Sequence, residues 1–297
     1  MQFETILYDT DGPIATITLN RPEALNAIRG PVPHEIEQAI HAAAWDQAIK
    51  VIVLRGAGRA FCAGADFSDD FSYLADRIST DGEWDPGKDF AFFQAPPTSP
   101  TQKAMSMWRA PKPVIAQIHG WCLGAGSDYA LCADIVIASE DAQIGTPYSR
   151  VWGAYLTGMW IYRLGLARAK WHALTGRPLS GREAADVGLI NKAVPFEQLE
   201  GRVREVAEEL ASIPAGQLAA QKLIVNQAYE NMGLASTQTL GGILDGLMRN
   251  IPAGRAFMAH AAAHGVPSAV AERDARFGDY SQAPPERKPD PGHVIHA

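Results

Sequence analysis

The run Val114–Ile118 (VIAQI) leads into a glycine-rich stretch at residues 119–134, HGWCLGAGSDYALCAD, and this stretch limits the fold more than any other. It reads as a strand, a turn and the start of a helix. Gly120, Gly124 and Gly126 leave the backbone bare where the chain turns. Ser127 is the expected N-cap, and Asp128 puts an acid in the first helical turn, where the helix dipole favours negative charge. Such a junction aims several backbone N–H groups at one point and suits an anion or a developing oxyanion. The same glycines also fit a packing role, in which helix and strand approach closely.

At 297 residues the chain has room for one large domain, or for one domain with an extension. A net charge of −7 gives no general attraction to nucleic acid or to an anionic membrane. No apolar run approaches the ~20 residues of a membrane helix, and the opening MQFETILYD lacks the charged-then-apolar form of a signal peptide. Cys62, Cys122 and Cys132 form neither a CxxC pair nor a zinc spacing, which suits a reducing compartment. The expectation is a cytoplasmic protein with no nucleic-acid and no membrane partner. The glycine loops match neither GxGxxG nor GxxxxGKS/T, so they are not read as nucleotide loops.

Along the chain, Ile14–Leu19 (IATITL) is strand-like and NRPEALNA after it is a turn and loop. Pro33 introduces a helix with Ile36, Ala39, Ile40 and Ala43 on one face. The continuous run VIVL at residues 51–54 predicts a strand covered on both faces, followed by a second glycine-rich loop, RGAGRAFCAGAD. Residues 68–103, polar, acidic and proline-containing, predict an irregular surface excursion and a candidate lid. A further apolar run at residues 135–138 precedes the loop DAQIGTPYSRVWGAY. Strand, glycine loop and helix thus alternate, an order that places ligands at the carboxyl ends of strands. Beyond Ala167 the chain turns helical, with Ala220, Ile224 and Ala228 on one face and Leu240, Ile243, Leu244 and Leu247 on another. An apolar stripe there must bury itself on the core or on another subunit. The tail FGDYSQAPPERKPDPGHVIHA predicts an extended surface segment.

Taken together, ITLNRPEALNA, VIVLRGAGRAFCAGAD, KPVIAQIHGWCLGAGSDYALCADIVIAS, DAQIGTPY and LTGRPLSGREAADVGLINKAV resemble the crotonase superfamily, that of the enoyl-CoA hydratases and isomerases, in its order and spacing. The likeness covers residues 3–195 closely and the helical remainder more loosely. It implies an α/β fold, a spiral of repeated ββα units with a C-terminal helical trimerisation region. The parts are a core at 1–195, an oligomerisation region at 196–273 and a Pro-rich tail at 274–297. It also implies a homotrimer or dimer of trimers, and an acyl-CoA thioester as ligand. Coenzyme A enters as part of the substrate, with no separate cofactor and no metal.

The resemblance also implies which residues act. Two backbone N–H groups, of Ala65 in CAGAD and Ala125 in LGAGS, hold the thioester oxygen as it gains enolate charge. The family usually has glycine at the second position, so Ala125 serves unstrained only with negative φ. Family hydratases use two glutamates; these positions map to Asp128 and Tyr148. Asp is one methylene shorter, and Tyr has an unperturbed pKa near ~10, so ordinary two-glutamate hydration is not expected. Asp128 is the candidate acid/base, with a helix-capping role as the alternative; Tyr148 is a hydrogen-bond donor or a packed ring. Trp152 and Tyr155 are core aromatics or walls of a bulky acyl pocket. His119 reads as structural, and Asp69, Asp70 and Tyr73 are secondary candidates. The adenine end of CoA is expected against backbone groups of Ala24 and Leu25 and of Ala63, Asp66 and Phe67, with Arg21 or Arg59 offsetting the local acids. The leading expectation is an acyl-CoA enzyme that stabilises a thioester enolate. The alternatives are a family hydrolase or decarboxylase, and a catalytically silent trimeric CoA-binding protein.

Overall fold

The computed structural model describes residues 2–67, 76–95 and 98–280. Its main sheet has six strands: β1 (Ile6–Asp11), β2 (Ile14–Leu19), β3 (Val51–Gly56), β6 (Val114–Ile118), β8 (Ile135–Ser139) and β11 (Lys192–Val194), in that spatial order. β1 and β2 are antiparallel, and every other pair is parallel. A short hairpin pairs β4 (Ser79–Thr80) with β5 (Glu83–Trp84). A second sheet is built from β7 (Trp121–Leu123), β9 (Gln143–Gly145) and β10 (Leu179–Ser180). Later turns of the spiral contribute to both sheets, and β6, β7 and the helix after them form one ββα unit.

Between the sheets lies the main core, with Ile17, Ile36, Ile40, Ile52, Leu54, Phe61 and Trp160 nearly or wholly inaccessible. Helix α1 (Val32–Trp45) buries the predicted face of Ile36, Ala39, Ile40 and Ala43. The other face of the main sheet is covered by α8 (Phe196–Ala211), whose Leu199, Val203 and Ala207 pack on Val51, Val53, Ile115 and Ile137. VIVL is accordingly buried on both sides.

Two expectations are corrected. The described part of residues 68–103 is not irregular: it contains the hairpin and two helices, α2 (Pro86–Gln94) and α3 (Pro100–Arg109). Asp85 and Ser99 cap them through their side chains, and each helix opens on a proline, where a missing N–H costs nothing. Ser127 is no N-cap. Helix α4 (Ala125–Leu131) starts after Gly124, and the Ser127 hydroxyl inside it donates to the Gly124 carbonyl and accepts from the Trp160 indole.

The remaining helices are α5 (Met159–Leu164), α6 (Leu166–Thr175), α7 (Gly181–Asp186), α9 (Ala215–Asn231), α10 (Leu234–Arg249), α11 (Pro252–His264) and α12 (Val266–Asp274). Helix α10 packs with an unusual face inward. It buries Gln238, Gly241, Gly242, Asp245 and Gly246 and leaves Leu240, Ile243, Leu244 and Leu247 40–56% exposed. Glycine lets it close on α2 and on residues 155–157: a Cβ on Gly241 would stand 3.0 Å from the Tyr155 carbonyl oxygen, and one on Gly246 would stand 3.1 Å from Asp89 Oδ1. The leucine stripe is thus not buried on the chain's own core. Ile224 on α9 is exposed as well, and that helix buries no residue. No helix among the described residues is long and apolar enough to cross a membrane.

The tail departs from the expected surface path at its start, where its first residues dock. Tyr280 is 7% exposed and its hydroxyl donates to the Gly176 carbonyl at 2.6 Å. Residues 281–297 lie outside the described residues.

Candidate active site

The two glycine loops meet because successive turns of the spiral bring them side by side. Cys62 and Cys122 form a parallel bridge, with Cys62 N–H donating to Trp121 O and Leu123 N–H to Cys62 O, both at 2.9 Å. The pairing aligns Cys62-Ala63-Gly64-Ala65 with Cys122-Leu123-Gly124-Ala125, so Ala65 and Ala125 sit at the same offset from the paired cysteines. The repeat C-x-G-A is visible in the sequence and is the local signal that the two loops are structural equivalents.

Each loop turns on a glycine with positive φ, +101° at Gly64 and +50° at Gly124. A Cβ on Gly64 would stand 2.9 Å from the Leu123 carbonyl oxygen and 3.8 Å from the Ala125 nitrogen. Ala65 bridges Ile28 in parallel, and its neighbours carry the bonds: Ile28 N–H to Gly64 O at 2.7 Å, and Asp66 N–H to Ile28 O at 2.9 Å. The Ala65 amide therefore points away from Ile28. Ala125 opens α4, where the first N–H has no intrahelical acceptor. Among the described residues neither amide has a backbone acceptor. The positive-φ residues include neither alanine, so Ala125 replaces glycine without strain. Gly126, by contrast, is held by packing, since a Cβ there would lie 2.8 Å from Cys62 Sγ.

Asp128 follows in α4 and is 2% exposed. Its Oδ2 accepts from the Tyr148 hydroxyl at 2.7 Å and its Oδ1 from the Thr157 hydroxyl, also at 2.7 Å. Burial raises its pKa to about 6; the two hydroxyls oppose that rise, and the charge of Asp245 adds to it. Tyr148, partly buried, is pushed well above its ordinary value by burial and by the Asp128 charge, so its hydroxyl stays protonated. The Tyr148 ring lies beside the first loop pair: a Cβ on Gly124 would stand 3.7 Å from its Cε1 and 4.0 Å from Gly64 Cα. Gly153 folds back over that ring, where a Cβ would come within 2.4 Å of Cδ1.

Thr157, which no sequence motif marks, is 1% exposed and is held in turn by Gln238, whose side-chain amide donates to its carbonyl at 3.1 Å. The inward polar face of α10 thus reaches Asp128 through one intermediary. Neither residue belongs to a local motif; only the fold joins positions 128, 157 and 238. Tyr155 stacks on Trp160 and meets Tyr148 edge-on, whereas Trp152 forms a three-ring cluster with Phe67 and Phe257.

The loops expected at adenine are stitched together. Ala63 N–H donates to Leu25 O at 3.0 Å, and Leu25 and Asn26 hold φ of +52° and +55°. The Asn26 side chain fixes that turn by donating to the carbonyls of Ala57 and Ala60, each at 2.8 Å. The amides of Ala24, Leu25, Ala63 and Asp66 are committed inside these loops, and the carbonyls of Ala24 and Leu25 accept from Ala27 and Ala63 N–H within them. Arg21 does not face outward: it pairs with Asp66 at 2.9 Å and donates to Ala27 O. Arg59 is on the exposed side. His119 is 5% exposed, with Nε2 2.8 Å from Gly58 O. Asp69, Asp70 and Tyr73 lie outside the described residues. A groove of about 710 Å³ between the β4–β5 hairpin and α10–α11 is lined by Ile78, Trp84, Leu247 and Arg255 and includes none of the predicted site residues.

The family model for Enoyl-CoA hydratase/isomerase matches residues 9–241. A probable enoyl-CoA hydratase of Rhizobium meliloti (strain 1021) is 34% identical over 243 residues, covering 77% of this chain and 84% of its own. The 1,2-epoxyphenylacetyl-CoA isomerase of Escherichia coli (strain K12) is 32% identical, over 77% of this chain and 84% of its own. Among solved structures, an enoyl-CoA hydratase from Mycobacterium smegmatis superposes with a TM-score of 0.87 at 36% identity, over 94% of this chain and 96% of its own.

Proposed function

The chain belongs to the enoyl-CoA hydratase/isomerase family, and on that premise we propose that Ala65 and Ala125 hold the carbonyl oxygen of an acyl-CoA thioester while Tyr148 and Asp128 move a proton on its acyl carbons. Two preorganised N–H donors at a developing enolate oxygen are worth about 3–4 kcal/mol each when one is lost. The parallel Cys62–Cys122 bridge, which sets the two alanines at the same offset on adjacent loops, supports that role.

The observation that carries the proton-transfer reading is the 2.7 Å bond from Tyr148 to Asp128. Asp128 is recessed by one methylene, and both its oxygens already accept hydroxyls. Tyr148 spans the gap. As its own proton passes to Asp128, its oxygen takes one from substrate or from a substrate-derived water, so the pair acts as one base with the basicity of Asp128. A group titrating near 6 suits a base that works near neutral pH. Thr157 keeps the second carboxylate oxygen occupied, which leaves Tyr148 as the route.

Coenzyme A belongs to the substrate here, its adenine end against the loops at residues 24–25 and 63–67. The exposed leucine stripe of α10 supports assembly into a homotrimer or dimer of trimers, in which another copy covers it. The test is a panel of butyryl-, crotonyl- and phenylacetyl-CoA in deuterated water, read by mass spectrometry. Deuterium entry at the α carbon of at least one is expected. No exchange and no product with any of them would contradict the proposal.

A further inference from the structure

Tyr148 is held from both ends, and its second anchor comes from the far end of the chain. It belongs to the 3-10 turn Pro147–Arg150, which also carries Arg150. The Arg150 side chain is 3% exposed, and every polar atom of its guanidinium has a partner. Nη1 and Nη2 fork onto Asp279, each at 2.7 Å; Nη1 also meets Asp274 at 3.2 Å, and Nε donates to Thr175 O at 3.0 Å. The guanidinium lies 3.8 Å from the centre of the Phe277 ring. A bidentate, stacked arginine of this kind is specific in geometry as well as charge.

Next along the segment, Tyr280 wedges beneath the strand that feeds the turn. Its hydroxyl lies where a Cβ on Gly145 would fall, 2.5 Å away, and its ring faces Trp121. Residues 274–280 thus grip both ends of the short path from Gly145 to Arg150, while Tyr148 points the other way, toward Asp128. A 3-10 turn has about three residues per turn, so residues two apart leave it on different sides.

We infer that Arg150 is a positioning residue, and that its fork with Asp279 clamps the 147–150 turn so that the Tyr148 hydroxyl meets Asp128. This rests on the Tyr148–Asp128 reading above. Without the clamp the turn is free to shift, and a displacement near 1 Å in such a group costs about a hundredfold in rate.

The experiment is a double-mutant cycle on α-hydrogen exchange, using whichever of butyryl-, crotonyl- and phenylacetyl-CoA the wild type exchanges fastest. Arg150→Met should lower turnover by about ten- to a hundredfold with little change in KM. It should also move the acid limb of the pH profile upward, as Tyr148→Phe does. In the Tyr148→Phe background Arg150→Met should add almost nothing, and Asp279→Glu should recover more turnover than Asp279→Ala. Should Arg150→Met fail to fold, Asp279→Asn takes its place in the cycle. Additive losses, or an unmoved acid limb, would overturn the clamp and leave the dyad standing. A Tyr148→Phe enzyme with full turnover would overturn both.

Discussion

The Tyr148 hydroxyl donates to Asp128 Oδ2 across 2.7 Å, and this bond places a neutral phenol between a buried carboxylate and the two glycine loops. A carboxylate set back by one methylene and a phenol that cannot ionise near neutrality are each poor bases for a family hydratase. In the proposed mechanism the two, joined, form a relay whose reach comes from the tyrosine and whose basicity comes from the aspartate.

Asp128→Asn should abolish α-hydrogen exchange and leave acyl-CoA affinity nearly unchanged. It should also alter stability in a pH-dependent way. The folded carboxyl titrates at about 6, above its ordinary value of 3.8, so the folded chain holds that proton more tightly than the unfolded one. Wild-type stability from this group is present below the unfolded value and falls as pH rises through the folded one. The asparagine variant lacks this loss. Its relative gain in unfolding free energy, read by urea titration, should open between about pH 4 and 6 and level off above, at no more than about 3 kcal/mol. A gap independent of pH would contradict the assignment.

Ala125→Pro offers a way to delete one proposed donor. Position 125 opens α4, where proline is well tolerated, and no backbone acceptor is lost among the described residues. The variant should fold, bind acyl-CoA and lose about a hundred- to a thousandfold in turnover. Wild-type turnover in a folded variant would remove Ala125 from the oxyanion role.

Crotonyl-CoA hydration should be slow beside that of a two-glutamate relative. Tyr148→Glu should raise it by supplying a second carboxylate near the water, and an unchanged or lower hydration rate would argue that position 148 does not face the β carbon.

Light scattering at micromolar concentration should give three times the chain mass or a multiple of it. Leu244→Lys with Leu247→Lys should reduce it, because both side chains are about 40% exposed on the single chain and belong to the stripe that α10 turns outward. A wild-type monomer would leave that stripe without a partner.

Much of the fold is legible in the amino-acid sequence. The α1 face, the doubly covered VIVL strand and both glycine loops follow from local periodicity, and the C-x-G-A repeat at 62–65 and 122–125 states their equivalence. Three features are obscured for physical reasons. Proline makes residues 86–109 look irregular, although Asp85-Pro86 and Ser99-Pro100 are helix starts. In α10 the leucine stripe suggests the inward face, but glycines 241, 242 and 246 permit a closer approach and bring the polar Gln238 inward. Thr157, Gln238 and the Arg150–Asp279 fork join positions 29 to 129 residues apart, beyond the reach of any local pattern.

The central claim is that Tyr148 and Asp128 act as one base, and the pH dependence of α-hydrogen exchange tests it most directly. Wild-type rate should rise with pH through about 6, as Asp128 loses its proton, and then stay level through pH 8, because Tyr148 titrates well above 10. Tyr148→Phe removes a hydroxyl that holds the Asp128 pKa down, so its rate should be lower and its rise should move to higher pH. A wild-type profile without a rise near 6, or a Tyr148→Phe profile that superposes on it, would contradict the account.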